Sequence, residues 1–211
     1  MSAAWEDFFP LVLPYVTGCP EPTVEAHLRQ AAIAFCAQTM AWKASLPPLS
    51  GNGTATSFTM VPPTDGRVHR LLRVVLNTPG IEPMSIELLS PDDGAYRMLD
   101  EGSLRPIAFT PDGTSLTVWP AQPTGTSIVA TAVVKPSQTA AGVPDALFED
   151  YAQDIADGAL ATLLAMPGKS WTDLATAGIK GSQVSSRKAT VARIVERGQA
   201  RSRRHSALRW F

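Results

Sequence analysis

The sequence predicts an α+β protein, a helical bundle built from one N-terminal helix and two C-terminal helices, with a small β subdomain inserted between them and an extended C-terminal tail. Three observations lead there. Apolar residues recur at helical spacing near both ends of the chain; the middle is punctuated by Gly and Pro and rich in Val, Ile and Thr; and charge is segregated along the length. With 45% hydrophobic and 18% charged residues, the 211-residue chain has side chain enough for a core and lies far from the composition of disordered proteins. The expected organisation is residues 1–50 as the first helical part, 51–138 as the inserted β subdomain, 139–200 as the C-terminal helices and 201–211 as a basic tail.

A short amphipathic segment, Trp5 to Leu13, is broken by Pro10 and Pro14. The run Gly18-Cys19-Pro20-Glu21-Pro22-Thr23 then leads into a helix, where proline is tolerated because first-turn N–H groups have no helical partner anyway. Val24, Leu28, Ala31, Phe35, Thr39 and Trp42 step by four or three and form one apolar stripe. Leu46-Pro47-Pro48 ends it.

Between Gly51 and Ser137 the expected strands are Thr54 to Val61, Val68 to Asn77, Met84 to Leu89, Ser115 to Trp119 and Ser127 to Lys135. Turn signals such as Asp65-Gly66 and Asp112-Gly113 separate them. Ser90-Pro91-Asp92-Asp93 reads as a cap opening a short helix to about Leu99.

Pro144-Asp145 opens the second long helix, with an apolar stripe of Phe148, Ala152, Ile155, Ala159, Leu163 and Met166. Glu149, Asp150, Asp154 and Asp157 fall on its other faces and read as a solvated, dipole-complementing surface. Pro167-Gly168 ends this helix. A third is expected from the N-cap Ser170 to about Arg197, carrying Ala177, Gly178, Gly181, Ser182 and Ser185 as small inward positions.

The chemistry expected of the chain is sparse. His27, His69 and His205 have no motif around them, and no Gly-rich phosphate loop, zinc spacing or calcium-loop pattern occurs. No catalytic, cofactor-binding or metal-binding residues are assigned, and no enzymatic activity is expected. Cys19 and Cys36 lie more than two helical turns apart, so a relaxed disulfide is not expected and both read as thiols of a reducing compartment. No apolar run reaches the roughly 20 residues that span a bilayer, and Trp5-Glu6-Asp7 does not resemble an export signal, so no membrane partner is expected.

Residues 1–167 hold 8 Lys and Arg against 17 Asp and Glu, a balance of −9, whereas residues 168–211 hold 10 against 2, a balance of +8. The basic part ends in Arg201, Arg203, Arg204, Leu208, Arg209, Trp210 and Phe211. Large aromatics gain stability only when buried, by about 1.5 to 3 kcal/mol for a full Phe-sized side chain. These residues therefore suit a docking arm, the arginines reaching acidic groups and Leu208, Trp210 and Phe211 filling pockets on a partner. A solvated basic tail with incidental aromatics, or an arm for nucleic-acid phosphates, remain the other readings of the same residues.

Two blocks carry a family resemblance. One runs through Pro14-Tyr15-Val16-Thr17-Gly18-Cys19-Pro20-Glu21-Pro22 and the helix His27 to Cys36; the other through Val134-Lys135-Pro136-Ser137, Val143-Pro144 and Asp157 to Trp171. The pattern resembles the head-to-tail connector, or adaptor, proteins of tailed bacteriophages. The resemblance implies a non-enzymatic virion protein at the neck, present in the host cytoplasm during assembly. It implies a ring, commonly of twelve copies, that sits below the portal protein, closes the DNA-filled head and offers a platform to a tail or nozzle protein. Genomic DNA passes through such a channel, and the C-terminal segment commonly docks on the portal. A tail-tube or tail-terminator ring component, and a small nucleic-acid-binding protein using the basic arm, are the alternatives.

Overall fold

A computed structural model describes residues 2–90, 92, 106–110 and 113–197. The helix expected from Ser90 to Leu99 falls almost entirely outside these residues, and the tail Arg201 to Phe211 falls wholly outside them.

The chain opens with strand β1 (Ser2–Ala4), a 3-10 turn (Trp5–Phe8), the single-turn helix α1 (Phe9–Val12) and a second 3-10 turn (Leu13–Tyr15). Pro10 is the second residue of α1 and Pro14 the second of the following 3-10 turn, where a missing N–H is tolerated, so the segment breaks into short turns. Helix α2 (Glu21–Thr39) follows and is closed by Met40 in the left-handed conformation. Trp42 therefore lies beyond the helix and is 9% exposed; its carbonyl accepts from Val134 N, which starts the sheet.

Helix α3 (Asp145–Leu163) runs antiparallel to α2: His27 meets Thr162 at 2.8 Å, and Phe35 packs against Tyr151 with the rings tilted and centroids 5.1 Å apart. The two helices come close where Gly158 faces Ala31; a Cβ on Gly158 would stand 3.3 Å from that of Ala31. Val24, Leu28, Ala32 and Phe35 of α2 pack with Ile155, Ala159, Leu160 and Leu163 of α3, and Phe8 joins them edge-on to Phe148. Full burial of side chains such as Phe8 and Phe35 stabilises by about 1.5 to 3 kcal/mol each.

Helix α4 (Leu174–Arg197) starts at Asp173, whose carboxylate accepts from Thr176 N at 3.0 Å, and not at Ser170. Ala177, Val184 and Val191, seven residues apart, are buried against the other helices. Ion pairs fix its register, Lys180 to Asp157 at 2.8 Å and Arg187 to Asp154 at 3.2 Å. Asp154 and Asp157 are thus spent inside the protein, while Glu149 and Asp150 remain exposed as expected.

The middle of the chain supplies β2 (Lys43–Ser45), β3 (Leu49–Ser50), β4 (Ser57–Thr59), β5 (Gly66–Asn77), β6 (Met84–Leu88), β7 (Ile107–Phe109), β8 (Ser115–Trp119) and β9 (Ser127–Pro136). They form one eight-stranded sheet in the order β2-β9-β5-β6-β7-β8-β4, with β3 also on β9; only the β6–β7 pair is parallel. Val68, Leu71, Val74 and Leu76 of β5 share a buried cluster with Ile128, Ala130 and Ala132 of β9 and with Leu116 and Val118 of β8. Strands distant in the order meet in that cluster, so the sheet curls around its own core. Strand β10 (Gly142–Pro144) pairs separately with β1 and returns the chain to α3.

The expectation of a helical bundle carrying a small β insertion is therefore corrected. The fold is mixed α/β, with helices and a large curled eight-stranded sheet. The physical reason lies in the length of β5 and β9, twelve and ten residues, and in the short strands β2 and β3, recruited to β9 from the stretch that reads as a helix stop. Two- and three-residue strands carry too little periodicity to be seen before their partner is known.

Candidate interaction surface

The seven tail residues assigned from sequence, Arg201, Arg203, Arg204, Leu208, Arg209, Trp210 and Phe211, lie outside the described residues. What leads to them is described: Lys43 Nζ on β2 donates to the Val195 carbonyl at 3.0 Å, which ties the last turns of α4 to the sheet edge.

Along α4 the small residues divide. Ala177 is buried and Gly181 lies near Ala161, but Gly178, Ser182 and Ser185 are exposed, and a Cβ on Gly178 would meet nothing. Only part of the expected inward stripe thus faces the bundle, because the heptad Ala177, Val184 and Val191 sets which side turns in. Away from that side stand Ala175, Gly178, Ser182 and Ala189, together with three large apolar side chains, Leu174, Ile179 and Ile194, each more than half exposed and spread along the helix.

A second surface was not anticipated. Strand β5 reads Arg67-Val68-His69-Arg70-Leu71-Leu72-Arg73-Val74, and a strict two-residue alternation would send Arg67 and Arg70 to opposite faces. The register with β9 shifts twice, between Val68 and Arg70 and between Leu71 and Arg73. Each shift adds one residue to β5, so Arg67, Arg70 and Arg73 lie opposite Lys135, Val133 and Thr131, every second residue of β9 and hence one face. Lys43 of β2 lies opposite Val133 from the other side. Arg67, Arg70, Arg73 and Lys43 are exposed and Lys135 half-buried. Arg73 Nε donates to Ser85 Oγ at 3.3 Å; among the described residues no carboxylate pairs with any of the five. Arg67 and Lys135, directly opposed and of like charge, repel each other. Burial, then Lys135 and Arg70, depress the pKa of His69 beside them, opposed by a hydrogen bond to the Ala37 backbone. The legible signal was the triplet spacing of arginines over Val68, Leu71 and Val74, which fits no flat strand.

Elsewhere the chemistry is structural. A cavity of about 420 Å³ opens between β1, β10 and the β4–β5 turn, lined by Ser2, Trp42, Asp65 and Pro144 among others, and the Asp65 carboxylate there accepts from Ala141 N at 3.3 Å. Cys19 and Cys36 are buried free thiols, both with raised pKa values through burial. His27 is held by Thr162, and burial lowers its pKa. Among the described residues no three His, Cys, Asp or Glu side chains converge as a metal site would require, and no helix is long and apolar enough to cross a membrane.

No protein-family model matches the chain, and no curated protein matches it.

Proposed function

We propose that this chain is a structural virion protein of a tailed bacteriophage, a head-to-tail connector that forms a ring below the portal, closes the DNA-filled head and presents a platform to the tail. The observation that carries the reading is the outward face of α4. Leu174 and Ile179 stand exposed near the small residues Gly178 and Ser182, and Ile194 is exposed about three turns further along, on a helix clamped to its own bundle by two ion pairs. Apolar side chains held out on a fixed helix lose water favourably when another chain covers them, and the small residues beside Leu174 and Ile179 allow close approach. In sequence the basic, aromatic-ended segment follows directly on this helix, so neighbouring stretches of chain would serve a neighbouring copy and the portal. The sequence blocks around Pro14 to Cys36 and Asp157 to Trp171, shared in pattern with connector proteins, fall on α2, α3 and the turn before α4.

The test is reconstitution with the portal protein of the same phage, read by electron microscopy. Full-length chain should add a ring below the portal; chain lacking residues 201–211 should not bind; and Ile179→Glu should impair ring closure while the monomer stays folded. End-to-end stacking into tubes would mark a tail-tube protein, and unimpaired neck assembly by the truncated chain would overturn the docking role.

A further inference from the structure

We infer that the basic face of β5 and β9 binds the sugar-phosphate backbone of nucleic acid through Arg67, Arg70, Arg73 and Lys135, with Lys43, whose ammonium also donates to the Val195 carbonyl, adding positive charge at its margin. This inference goes beyond the connector reading and does not rest on it, since it concerns the sheet and not the C-terminal segment. The body of residues 1–167 holds only 8 Lys and Arg against 17 Asp and Glu, yet five of those eight are gathered on one side of three neighbouring strands. Concentrating like charge costs free energy through mutual repulsion, most directly between the opposed Arg67 and Lys135. Among the described residues none of the five makes an ion pair with a carboxylate. The two register shifts are what bring the arginines together, so the backbone itself is shaped to present them.

The spacing fits a linear polyanion. Each arginine is two β9 residues from the next, a step of about 7 Å along the strand direction. Guanidinium forks bind phosphate oxygens in pairs. The surroundings favour nucleic acid over a second copy of the chain: the same face carries Thr131, Ser85 and Ser45, its valines Val129 and Val133 are half-buried and buried between the charged side chains, and Glu87, two residues from Ser85, is its one carboxylate among the described residues. A protein interface would place an apolar, charge-poor patch at its centre, whereas nucleic-acid interfaces are polar and strongly positive. Nothing on this face offers a base-reading motif, so the contact is to backbone and independent of sequence.

The experiment compares full-length wild type, a triple Arg67→Gln, Arg70→Gln, Arg73→Gln variant and the corresponding triple Lys variant. All keep the C-terminal segment, so its contribution is common to the three. Fluorescence anisotropy with labelled 20-mers, duplex and single-stranded and of two unrelated sequences, is read across a salt series. The Gln variant should bind at least tenfold more weakly at 100 mM salt, and its log K against log salt slope on duplex should fall by about 2 to 3, near 0.9 per lost phosphate contact. The Lys variant should stay within about threefold of wild type. The stronger of the duplex and single-strand arms identifies the form of nucleic acid. Unchanged affinity and slope in the Gln variant, or no binding by wild type, overturns the proposal. Equal loss in the Lys and Gln variants overturns it too, since a disturbed strand and not a missing charge would be responsible. Unchanged DNA affinity with self-association lost in sedimentation would make the face a contact between copies, which also overturns it. Portal binding by the Gln variant reports separately on the connector reading.

Discussion

The ammonium of Lys180 on α4 reaches the carboxylate of Asp157 on α3 at 2.8 Å, with the two side chains only 17% and 14% exposed. One turn of α3 away, Asp154 receives Arg187 at 3.2 Å. Two acidic residues of the negative body therefore neutralise two cations of the positive C-terminal part inside a single subunit. The segregated charge of the sequence is partly a device for attaching α4.

That attachment can be measured. Asp157→Ala should destabilise the chain by about 2 kcal/mol, because a largely desolvated ammonium is left without its partner. The double change Asp157→Leu with Lys180→Met should recover most of the loss, since apolar replacements remove both desolvation costs together. Urea unfolding of the two variants decides it; equal destabilisation would mean that the pair holds no register.

Lys188 lies between Val184 and Val191 on the inward side of α4, and burial lowers its pKa. No carboxylate is bonded to it among the described residues. Lys188→Met should therefore raise stability, by about 1 kcal/mol. The sign with pH follows from the depressed folded-state pKa. The unfolded chain holds the extra proton, so the contribution of Lys188 improves as pH climbs toward the ordinary lysine value of 10.5 and is lost as pH falls through the folded value. The gap between wild type and Lys188→Met should narrow accordingly in unfolding experiments from pH 8 to 10.5.

Gly142 pairs with Ala4 across the β1–β10 ladder, and a Cβ on it would collide with the Ala3 carbonyl. The obstacle is backbone and cannot rotate away. Gly142→Ala should cost about 2 kcal/mol and release β1. Limited proteolysis near Ser2 to Ala4, faster in the variant than in wild type, is the corresponding measurement.

Burial pushes the Cys36 thiol up to about 12 and raises that of Cys19 as well. At pH 8 neither has appreciable thiolate, the reactive form. Iodoacetamide should leave Cys36 unmodified in the folded chain and label it on unfolding, with Cys19 the first to react under partial destabilisation. Rapid native labelling of Cys36 by mass spectrometry would contradict its place in the α2–α3 core.

The long elements were legible because each repeats a single period against a single environment. Val24, Leu28 and Phe35 announce α2, Ile155, Ala159 and Leu163 announce α3, and the strand Ser115–Trp119 agrees with its expected bounds to the residue. Local chemistry was readable too, as Pro10 and Pro14 break the opening segment and Pro144 opens α3. By itself, then, the sequence determined the main helices, the principal strands and the uneven distribution of charge, all properties of neighbours along the chain.

Tertiary structure alone decided four things. It joined β2 and β3 to β9 and so made the sheet large; it turned Asp154 and Asp157 into partners for α4; and it rotated Gly178, Ser182 and Ser185 outward. It also aligned Arg67, Arg70 and Arg73, which only a strand with two inserted residues can place on one face. The physical reason is common to all of these. Which side of an element meets solvent depends on register against a partner distant in sequence, and one extra residue in β5 reverses every side chain beyond it.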